Sequence, residues 1–382
     1  MAVAATPVWG DPLAWDNPPP LAGDVSVDVC VVGLGGSGLA AVGAALDAGA
    51  SVAGLDAGPV AGAAAGRNGG FLLAGTARFH HDAVAAWGRE RAAGLYAESL
   101  AELDRLLAEL GPLARRVGSL RIPVSPEEEA EIADQLAALE RDGFPARAAD
   151  GPTGRGVFVP TDGSIQPLER CRLLAGRALA RGARLFSGSP ATAIAGDRVD
   201  TAEGAVRCRA VVVCVDGWIE RVFPELEGRA RSSRLQMLAT EPVEPGLIPC
   251  PVYDNGGYEY WQQTPDGRIA LGGGRRRLAD GEWGQEAVAG GPVQDQLDVL
   301  LRERVGIAAP VSHRWAGVIS FTDDLLPVFE ELRPGVLAVG AFSGHGNVLG
   351  SAAGRAAMAI ALGGAPPRLA RLLRPEHWAH GT

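Results

Sequence analysis

The sequence predicts a two-domain α/β protein that is α+β as a whole, on three observations. A strand, a tight glycine turn, a helix and a second strand follow one another from Asp28. A further strand, glycine turn and alanine-rich helix run from Val336 to Leu362. Between them, residues 226–322 hold short strand-like segments separated by glycine, proline and aspartate, which predicts an antiparallel sheet. A chain of 382 residues also exceeds what one core usually serves.

Composition narrows the classes. With 47% hydrophobic and 21% charged residues the chain reads as a folded globular protein. A formal charge of −10 disfavours nucleic acid and anionic lipid, which need clustered positive charge, so no nucleic-acid partner is expected. All 35 basic residues are arginine, and without lysine no Schiff base can form. The five cysteines (Cys30, Cys171, Cys208, Cys214, Cys250) show no C-x-x-C pair and argue against a disulfide framework or zinc site; no metal is expected. No signal-like N-terminus and no apolar run of about 18 residues is present, so the expectation is a cytoplasmic protein without a membrane span.

Residues 1–24, interrupted by Pro18-Pro19-Pro20, read as an irregular arm that Trp9 and Trp15 pin down. Val29–Val32 reads as a strand, Leu39, Val42 and Leu46 as the face of a helix, and 51–56 as the next strand, which completes a βαβ unit. Residues 83–143 read as a helical excursion. One stripe is Leu100, Leu103, Leu107 and Leu110; a second helix starts at Ser125, with Pro126 at its first position and Glu128 completing a capping box. A helix over 168–181 leads to strands around Leu185 and 191–194, then to one continuous buried strand over 205–215. Its end, Cys214-Val215-Asp216-Gly217-Trp218, is a candidate ligand-facing turn. The strands expected in the antiparallel sheet are 235–240, 257–262, 268–272 and 313–321. The resulting domain expectation is a discontinuous nucleotide domain from 25–82, 144–225 and 323–382, the excursion 83–143, and a substrate domain 226–322.

Gly33-Leu34-Gly35-Gly36-Ser37-Gly38 matches G-x-G-x-x-G in its proper context, after a strand and opening a helix. Gly33 permits the turn, Gly35 lets backbone N–H groups approach a pyrophosphate, and Gly38 lets the helix pack on the strand. Gly36 and Ser37 lie at the helix start, where unpaired N–H groups and the positive dipole end favour an anion. Asp56, 23 residues beyond Gly33, ends the second strand, where a carboxylate can accept from a ribose diol. This predicts a Rossmann-type unit, and the motif alone does not separate FAD from NAD.

Two further glycine segments favour FAD. Gly66-Arg67-Asn68-Gly69-Gly70 follows too closely to begin another mononucleotide unit and suits extended backbone along a long ligand. Gly340 to Asn347 lies between a strand and a helix, and a helix start there would stabilise negative charge on a reduced flavin.

Together with Pro20-Leu21-Ala22-Gly23-Asp24, Asp28 to Gly33, Asp266-Gly267-Arg268 and Gly344-His345-Gly346, these segments resemble the D-amino-acid-oxidase-like superfamily of FAD-dependent oxidoreductases. Within it they are most similar to the gamma-glutamylputrescine oxidoreductase group, glycine oxidase and sarcosine oxidase, and the resemblance spans nearly the whole chain. It implies that Gly33, Gly35, Gly36, Ser37, Gly38, Asp56 and Ala57 hold the ADP half, with Ala191 offering backbone contacts to adenine. It further implies that Gly66, Arg67, Asn68, Gly69 and Gly70 lie near the isoalloxazine, with Val215, Gly217, Gly344, His345, Gly346 and Asn347 completing the flavin shell. Two departures stand out. The cysteine that binds flavin covalently in sarcosine oxidases is replaced by Ile319, which implies non-covalent FAD by that route; and the lysine proposed to promote oxygen reduction there is absent, leaving Arg275 or His345 as candidate positive charges.

In the strand expected over 257–262, Tyr258, Tyr260 and Gln262 share one face. The resemblance assigns Tyr258 and Tyr260 to the substrate amine, and Tyr258, Tyr260 and His345 are the candidate catalytic residues. His80-His81 reads as a solvated helix start, 275–277 as a solvated strand end, and Asp323-Asp324 as structural. The expected activity is oxidation of a small amine or amino acid, with hydride passing to flavin N5, an imine that water hydrolyses, and oxygen or another acceptor taking the electrons. The competing readings are an NAD-dependent dehydrogenase, a flavin dehydrogenase with another acceptor, and a flavin-binding module without amine oxidation.

Overall fold

The computed structural model describes residues 3, 5–10, 15–151, 154–276 and 278–378. The chain forms two compact units, each drawn from separate stretches of sequence. One comprises Met1–Gly10, Arg67–Gln166 and Ser233–Val318, and the other Asp11–Gly66, Pro167–Ser232 and Ile319–Thr382.

The second unit is built on β1 (Val29–Val32), α1 (Gly36–Asp47), β2 (Val52–Leu55), α2 (Pro167–Ala180), β3 (Arg184–Phe186), β4 (Ala210–Val213), β5 (Val328–Arg333), β6 (Val336–Gly340) and α3 (Leu349–Ala361). Its sheet runs in the order β3-β2-β1-β4-β6-β5, parallel except for β5 against β6. Every residue of β1, β2, β4 and β6 is buried, as expected of strands covered on both faces. Helices α1 and α3 approach so closely that a Cβ on Gly354 would lie 2.1 Å from the Ser37 carbonyl oxygen, so this crossing depends on glycine.

The run 205–215 is two strands. Ala205–Arg207 pairs with Val25–Ser26 in a small four-stranded sheet, while β4 inserts between β1 and β6 of the large one. The break falls at Arg207, Cys208 and Arg209, of which the two arginines are exposed and the cysteine is half-buried. Strand β5 lay outside the sequence reading; it completes an antiparallel hairpin with β6.

In the first unit an eight-stranded sheet contains the four expected strands, at Arg231–Thr240, Glu259–Gln263, Ile269–Gly272 and Val311–Phe321. It also contains Ser119–Arg121, Arg147–Gly151 and Gly154–Val159, whose glycine, alanine and arginine content concealed them. The pairing of Val252–Asp254 with Ser119–Arg121 is parallel, so the sheet is not wholly antiparallel. Trp261, Leu238, Leu271, Val293 and Leu297 form the core on one of its faces.

The long helix Arg89–Leu110 buries Leu95, Leu103, Leu106 and Leu110; Leu100 and Leu107 are only partly buried, so the apolar face is offset from the expected stripe. Helix Pro126–Arg141 begins as expected, with Ser125 Oγ accepting from the Glu128 amide at 3.3 Å. The Glu128 carboxylate does not close the box; it accepts from the amides of Val124 (2.9 Å) and Gly256 (2.7 Å). His80 does begin a helix but is buried, with Nε2 2.7 Å from Asp142 Oδ2 and its ring edge-on to Tyr96 and Phe144, which corrects the solvated reading. Trp9 is buried and its indole donates to Asn68 O at 2.8 Å, whereas Trp15 bonds within the arm to Asn17. Among the described residues, no helix is long and apolar enough to cross a membrane and no group of three metal-ligating side chains is placed to hold a metal ion.

Candidate functional site

In the second unit the turn after β1 is fixed by steric need. Gly33 has φ +100°, and a Cβ there would lie 2.2 Å from the Cys214 carbonyl oxygen and 3.3 Å from a Val215 methyl. A Cβ on Gly38 would lie 1.8 Å from Gly33 O, so no larger residue fits without moving the turn. Gly35 is the N-cap of α1 and provides no side-chain cap, and the first turn holds no acidic residue. The first intrahelical bond is Leu39 N to Gly35 O, so the amides of Gly36, Ser37 and Gly38 precede the helical ladder. Uncapped donors at a positive helix end form an anion site.

Asp56 directly follows β2 and its carboxylate is held by backbone amides: Oδ2 accepts from Leu34 N at 2.7 Å and Oδ1 from Gly58 N at 2.9 Å. Burial raises its pKa against the opposing effect of these bonds. Ser189 N donates to Asp56 O and Gly188 N to Gly58 O, which draws the stretch leading to Ala191 alongside Ala57. The candidate ADP-half residues of this unit thus converge on one edge of β1, β2 and β3.

The turn after β4 joins them. Asp216 takes φ +33°, and its Oδ1 accepts from Phe342 N at 3.1 Å in the loop after β6. Burial pushes the Asp216 carboxyl up to about 6, with the amides of Phe342, Ala341 and Gly217 drawing it back. That loop is unusually bent, with Ala341, Ser343 and Gly344 all at positive φ. His345 lies within it. Its Nδ1 is buried without a hydrogen-bond partner among the described residues, and burial pushes the imidazole down to about 4 against the opposing effect of the Ser343 backbone. Burial thus favours the neutral imidazole. Gly344 lies near Ile319 in the same unit.

Sequence reasoning passed over Arg170, on α2 and only 1% exposed. Its guanidinium NH1 donates to Asn347 Oδ1 at 3.4 Å, NH2 donates to Ser351 Oγ, and a Cβ on Gly36 would lie 3.4–3.5 Å from NH1, NH2 and Cζ. Arginine at helical spacing carries no sequence signal of such a contact.

The second glycine cluster is divided: Gly66 closes a stretch of the second unit, and Arg67–Gly70 belong to the first. There Arg67 Nε donates to Ala316 O at 2.7 Å, Trp315 Nε1 donates to Arg67 O at 2.8 Å, and Gly70 N donates to Asn68 Oδ1 at 2.8 Å. Gln262 Nε2 donates to Gly69 O. Tyr260 packs against this segment: a Cβ on Gly69 would be 3.0 Å from its ring and one on Gly272 2.3 Å, and its ring meets Phe71 edge-on at 5.9 Å. Burial pushes the Tyr260 phenol up to about 12, so it stays neutral.

Tyr258 is placed differently. The strand begins at Glu259, and Tyr258 precedes it in helical backbone, 37% exposed, so it does not share the Tyr260 face as expected. Its ring lies 5.4 Å from the Arg275 guanidinium carbon and 5.7 Å from that of Arg276. Arg275 is buried beside Ser233, Tyr258 and Trp283, which corrects its reading as a solvated strand end; Arg277 lies outside the described residues. Asp324 has the structural role expected, accepting from Arg374 at 2.6 Å and from Leu326 N at 2.9 Å.

These residues fit a flavin dinucleotide: an uncapped helix start for the pyrophosphate, a strand-end carboxylate for the ribose, and an orphaned buried imidazole nitrogen in a glycine loop. The model of the family described as FAD dependent oxidoreductase, DAO, matches residues 28–360. Gamma-glutamylputrescine oxidoreductase of Escherichia coli (strain K12) is 26% identical over 372 residues, covering 87% of this chain and 82% of that protein. Probable oxidoreductase OrdL of Rhizobium meliloti (strain 1021) is 25% identical over 370 residues, covering 90% and 85%. The crystal structure of glycine oxidase from Geobacillus kaustophilus superposes with a TM-score of 0.75 at 17% identity, covering 89% of this chain and 95% of that one. L-proline dehydrogenase from P. horikoshii gives 0.76 at 17%, covering 93% and 99%. At such identities these structures speak for the fold.

Proposed function

The chain belongs to the DAO family of FAD-dependent oxidoreductases, and from that membership we propose that it oxidises the C–N bond of a small amine or amino acid. Oxygen is the proposed acceptor, hydrogen peroxide the product, and FAD is held without a covalent bond. The observation that carries the reaction type is the neutrality of the candidate polar groups: Tyr260 is held protonated and His345 unprotonated by burial. Neither is a strong base or a nucleophile at neutral pH, and the buried Cys214 thiol, pushed up to about 12, is not one either. Such groups suit the loss of hydride from a neutral amine, where the protein's work is orientation and exclusion of water. Bound FAD supplies the two-electron acceptor for that hydride.

In this reading Gly33, Gly35, Gly36, Ser37, Gly38, Asp56, Ala57 and Ala191 hold the ADP half. Gly66–Gly70, Val215, Gly217 and Gly344–Asn347 serve the flavin. Tyr260 and Tyr258 orient the substrate amine, Tyr260 as a neutral hydrogen-bonding phenol and Tyr258 as a ring beside the Arg275 and Arg276 cations. Support for an amine comes from the similarity to gamma-glutamylputrescine oxidoreductase, whose name gives an amine as its substrate. The absence of lysine favours one second reading, a dehydrogenase that passes electrons to an acceptor other than oxygen.

The test is anaerobic. Purified protein should be yellow, and its flavin absorbance should bleach with at least one compound in a panel of amines, N-methyl amino acids, and D- and L-amino acids. Readmitted oxygen should restore the colour with peroxide release; bleaching without reoxidation selects the dehydrogenase reading, and a colourless protein that refuses added FAD removes both.

A further inference from the structure

A cleft of about 160 Å3 opens within the first unit. Pro245, Pro249, Pro251 and Pro265 stiffen its walls, with the apolar side chains of Ile248 and Val117 between them. Gln263 fixes the loop that forms one wall: its Oε1 accepts from the amides of Gly246 (2.9 Å) and Ile248 (3.3 Å), and its Nε2 donates to the carbonyls of Glu244 (2.8 Å) and Gly267 (3.1 Å). The cleft is therefore shaped before any ligand enters it. In a chain of formal charge −10, no acidic residue among the described ones lines it, and its one charged group is Arg115. Among the described residues the exposed Arg115 guanidinium makes one hydrogen bond, from NH2 to Ser164 Oγ at 3.4 Å, and no ion pair.

Strand register ties this cleft to Tyr260. In a three-stranded sheet Gly163–Ile165 pairs with Phe71–Leu72 on one side and Ala114–Arg115 on the other, and Ser164 stands opposite both Phe71 and Arg115. Directly opposed residues of antiparallel strands project from one face, so Phe71, Ser164 and Arg115 form a row, its ends about 10 Å apart at ~4.8 Å per strand. At one end Phe71 meets the Tyr260 ring at 5.9 Å, and at the other stands the cation of the cleft. Gln262, 3% exposed and on the Tyr260 face of its strand, donates to Gly69 O and also lines the cleft. An apolar cavity of ~150 Å3 holds a benzene, so this one has room for about six heavy atoms of a ligand.

We propose that the cleft receives the far end of the substrate and that this end is a carboxylate, bound by Arg115. The proposal rests on the amine reading above and narrows it to amines whose chain carries a carboxylate remote from the C–N bond that is oxidised. At ~1.2 Å of reach per bond of extended chain, a span on the order of 10 Å asks for roughly five to eight bonds between the two groups, the arginine side chain covering the rest. An α-amino acid, whose amine and carboxylate share one carbon, is too short to occupy both places.

The experiment follows anaerobic flavin bleaching in the full-length holoenzyme with ω-amino carboxylates of rising chain length, alkylamines of the same lengths, and α-amino acids. In the wild type an ω-amino carboxylate of about six carbons should half-saturate at a concentration about tenfold below that of its matching alkylamine. Arg115→Gln should erase that advantage, with the alkylamine within about twofold of wild type and the limiting rate unchanged. Arg115→Lys should keep part of it, and Arg115→Glu should turn the preference towards the diamine of matching length. Because Arg115 is exposed, all three variants should melt with the wild type. Calorimetry with hexanoate, an anion without an amine, reads the cleft apart from the reaction, and binding should be about tenfold weaker in Arg115→Gln. If amines bleach the flavin but ω-amino carboxylates gain nothing over alkylamines, or Arg115→Gln weakens both classes equally, or hexanoate binding is the same in both proteins, this proposal alone fails. If the protein is yellow and no amine of any class bleaches it, the amine reading fails and takes this one with it.

Discussion

The amide of Leu34, inside the glycine turn, donates a 2.7 Å hydrogen bond to Oδ2 of Asp56 at the end of the neighbouring strand. The carboxylate proposed to receive a ribose is therefore also what closes the turn proposed to receive the pyrophosphate. With Gly58 N on its other oxygen, Asp56 is a two-sided acceptor. An asparagine would put an NH2 group against one of those two amides. Asp56→Asn should lower stability by about 1–2 kcal/mol, as a buried donor loses its acceptor. It should also weaken FAD by more than that loss alone explains, since the turn opens. Urea denaturation of the FAD-free protein and an FAD titration measure the two effects, and an unchanged midpoint with unchanged affinity would remove the closing role.

Glycine 38 gives a harsher outcome. With its Cβ position 1.8 Å from Gly33 O, the methyl of Gly38→Ala can be accommodated only by moving the helix off the strand. The expected cost is about 2–4 kcal/mol, in the range of overpacking against backbone, together with loss of bound FAD from the purified protein. Gly49→Ala is the control for residue type: Gly49 has positive φ but nothing within 4 Å of its Cβ position, so only local strain of about 1 kcal/mol is expected and the protein should stay yellow.

The fingerprint was legible because every part of it is local: strand, turn and helix are contiguous, and Asp56 falls where the next strand must end. What escaped was set by partners distant in sequence. His80 looked solvated because its acceptor, Asp142, is 62 residues away. Arg275 looked like a strand end because Ser233 and Trp283, which bury it, belong to other elements. The run 205–215 looked like one strand because apolar residues dominate both of its halves, which pair in different sheets, and the exposed Arg207 and Arg209 at the break interrupt it only briefly. Tyr258 fell out of the strand through Gly256 and Gly257, whose positive φ turns the chain immediately before Glu259.

Asp162 carries the clearest pH dependence. It is 3% exposed, accepts from Ser119 Oγ at 2.6 Å and Ala74 N at 3.0 Å, and burial pushes it up to about 7. A carboxyl with a raised folded pKa binds its proton more tightly in the native state than in the unfolded chain, where it titrates near 3.8. Its stabilising contribution is complete below about pH 4 and is lost as pH rises towards 7. Asp162→Asn keeps an acceptor for Ala74 N and lets the Ser119 hydroxyl turn to accept. The variant should be more stable than wild type at pH 8 by about 2–4 kcal/mol, with the gap closing near pH 4. Thermal melts of both proteins across that range measure it; a constant gap would mean that Asp162 does not titrate there.

Tyr260 and Tyr258 part company in the structure, and substitution should separate them in function. Tyr260 is packed against Gly69, Gly272 and Phe71, so Tyr260→Phe retains every ring contact and removes only the hydroxyl. The expected result is unchanged flavin content and melting temperature with roughly tenfold slower anaerobic flavin reduction, about the worth of one hydrogen bond to the reacting amine. Tyr258, 37% exposed beside two arginines, should act on binding: Tyr258→Phe should change little, and Tyr258→Ala should raise KM several-fold while leaving the limiting reduction rate intact. If Tyr260→Phe reduces flavin at the wild-type rate while Tyr258→Phe slows it, the orienting hydroxyl belongs to Tyr258, and the buried ring is a packing residue holding Gly69 in place.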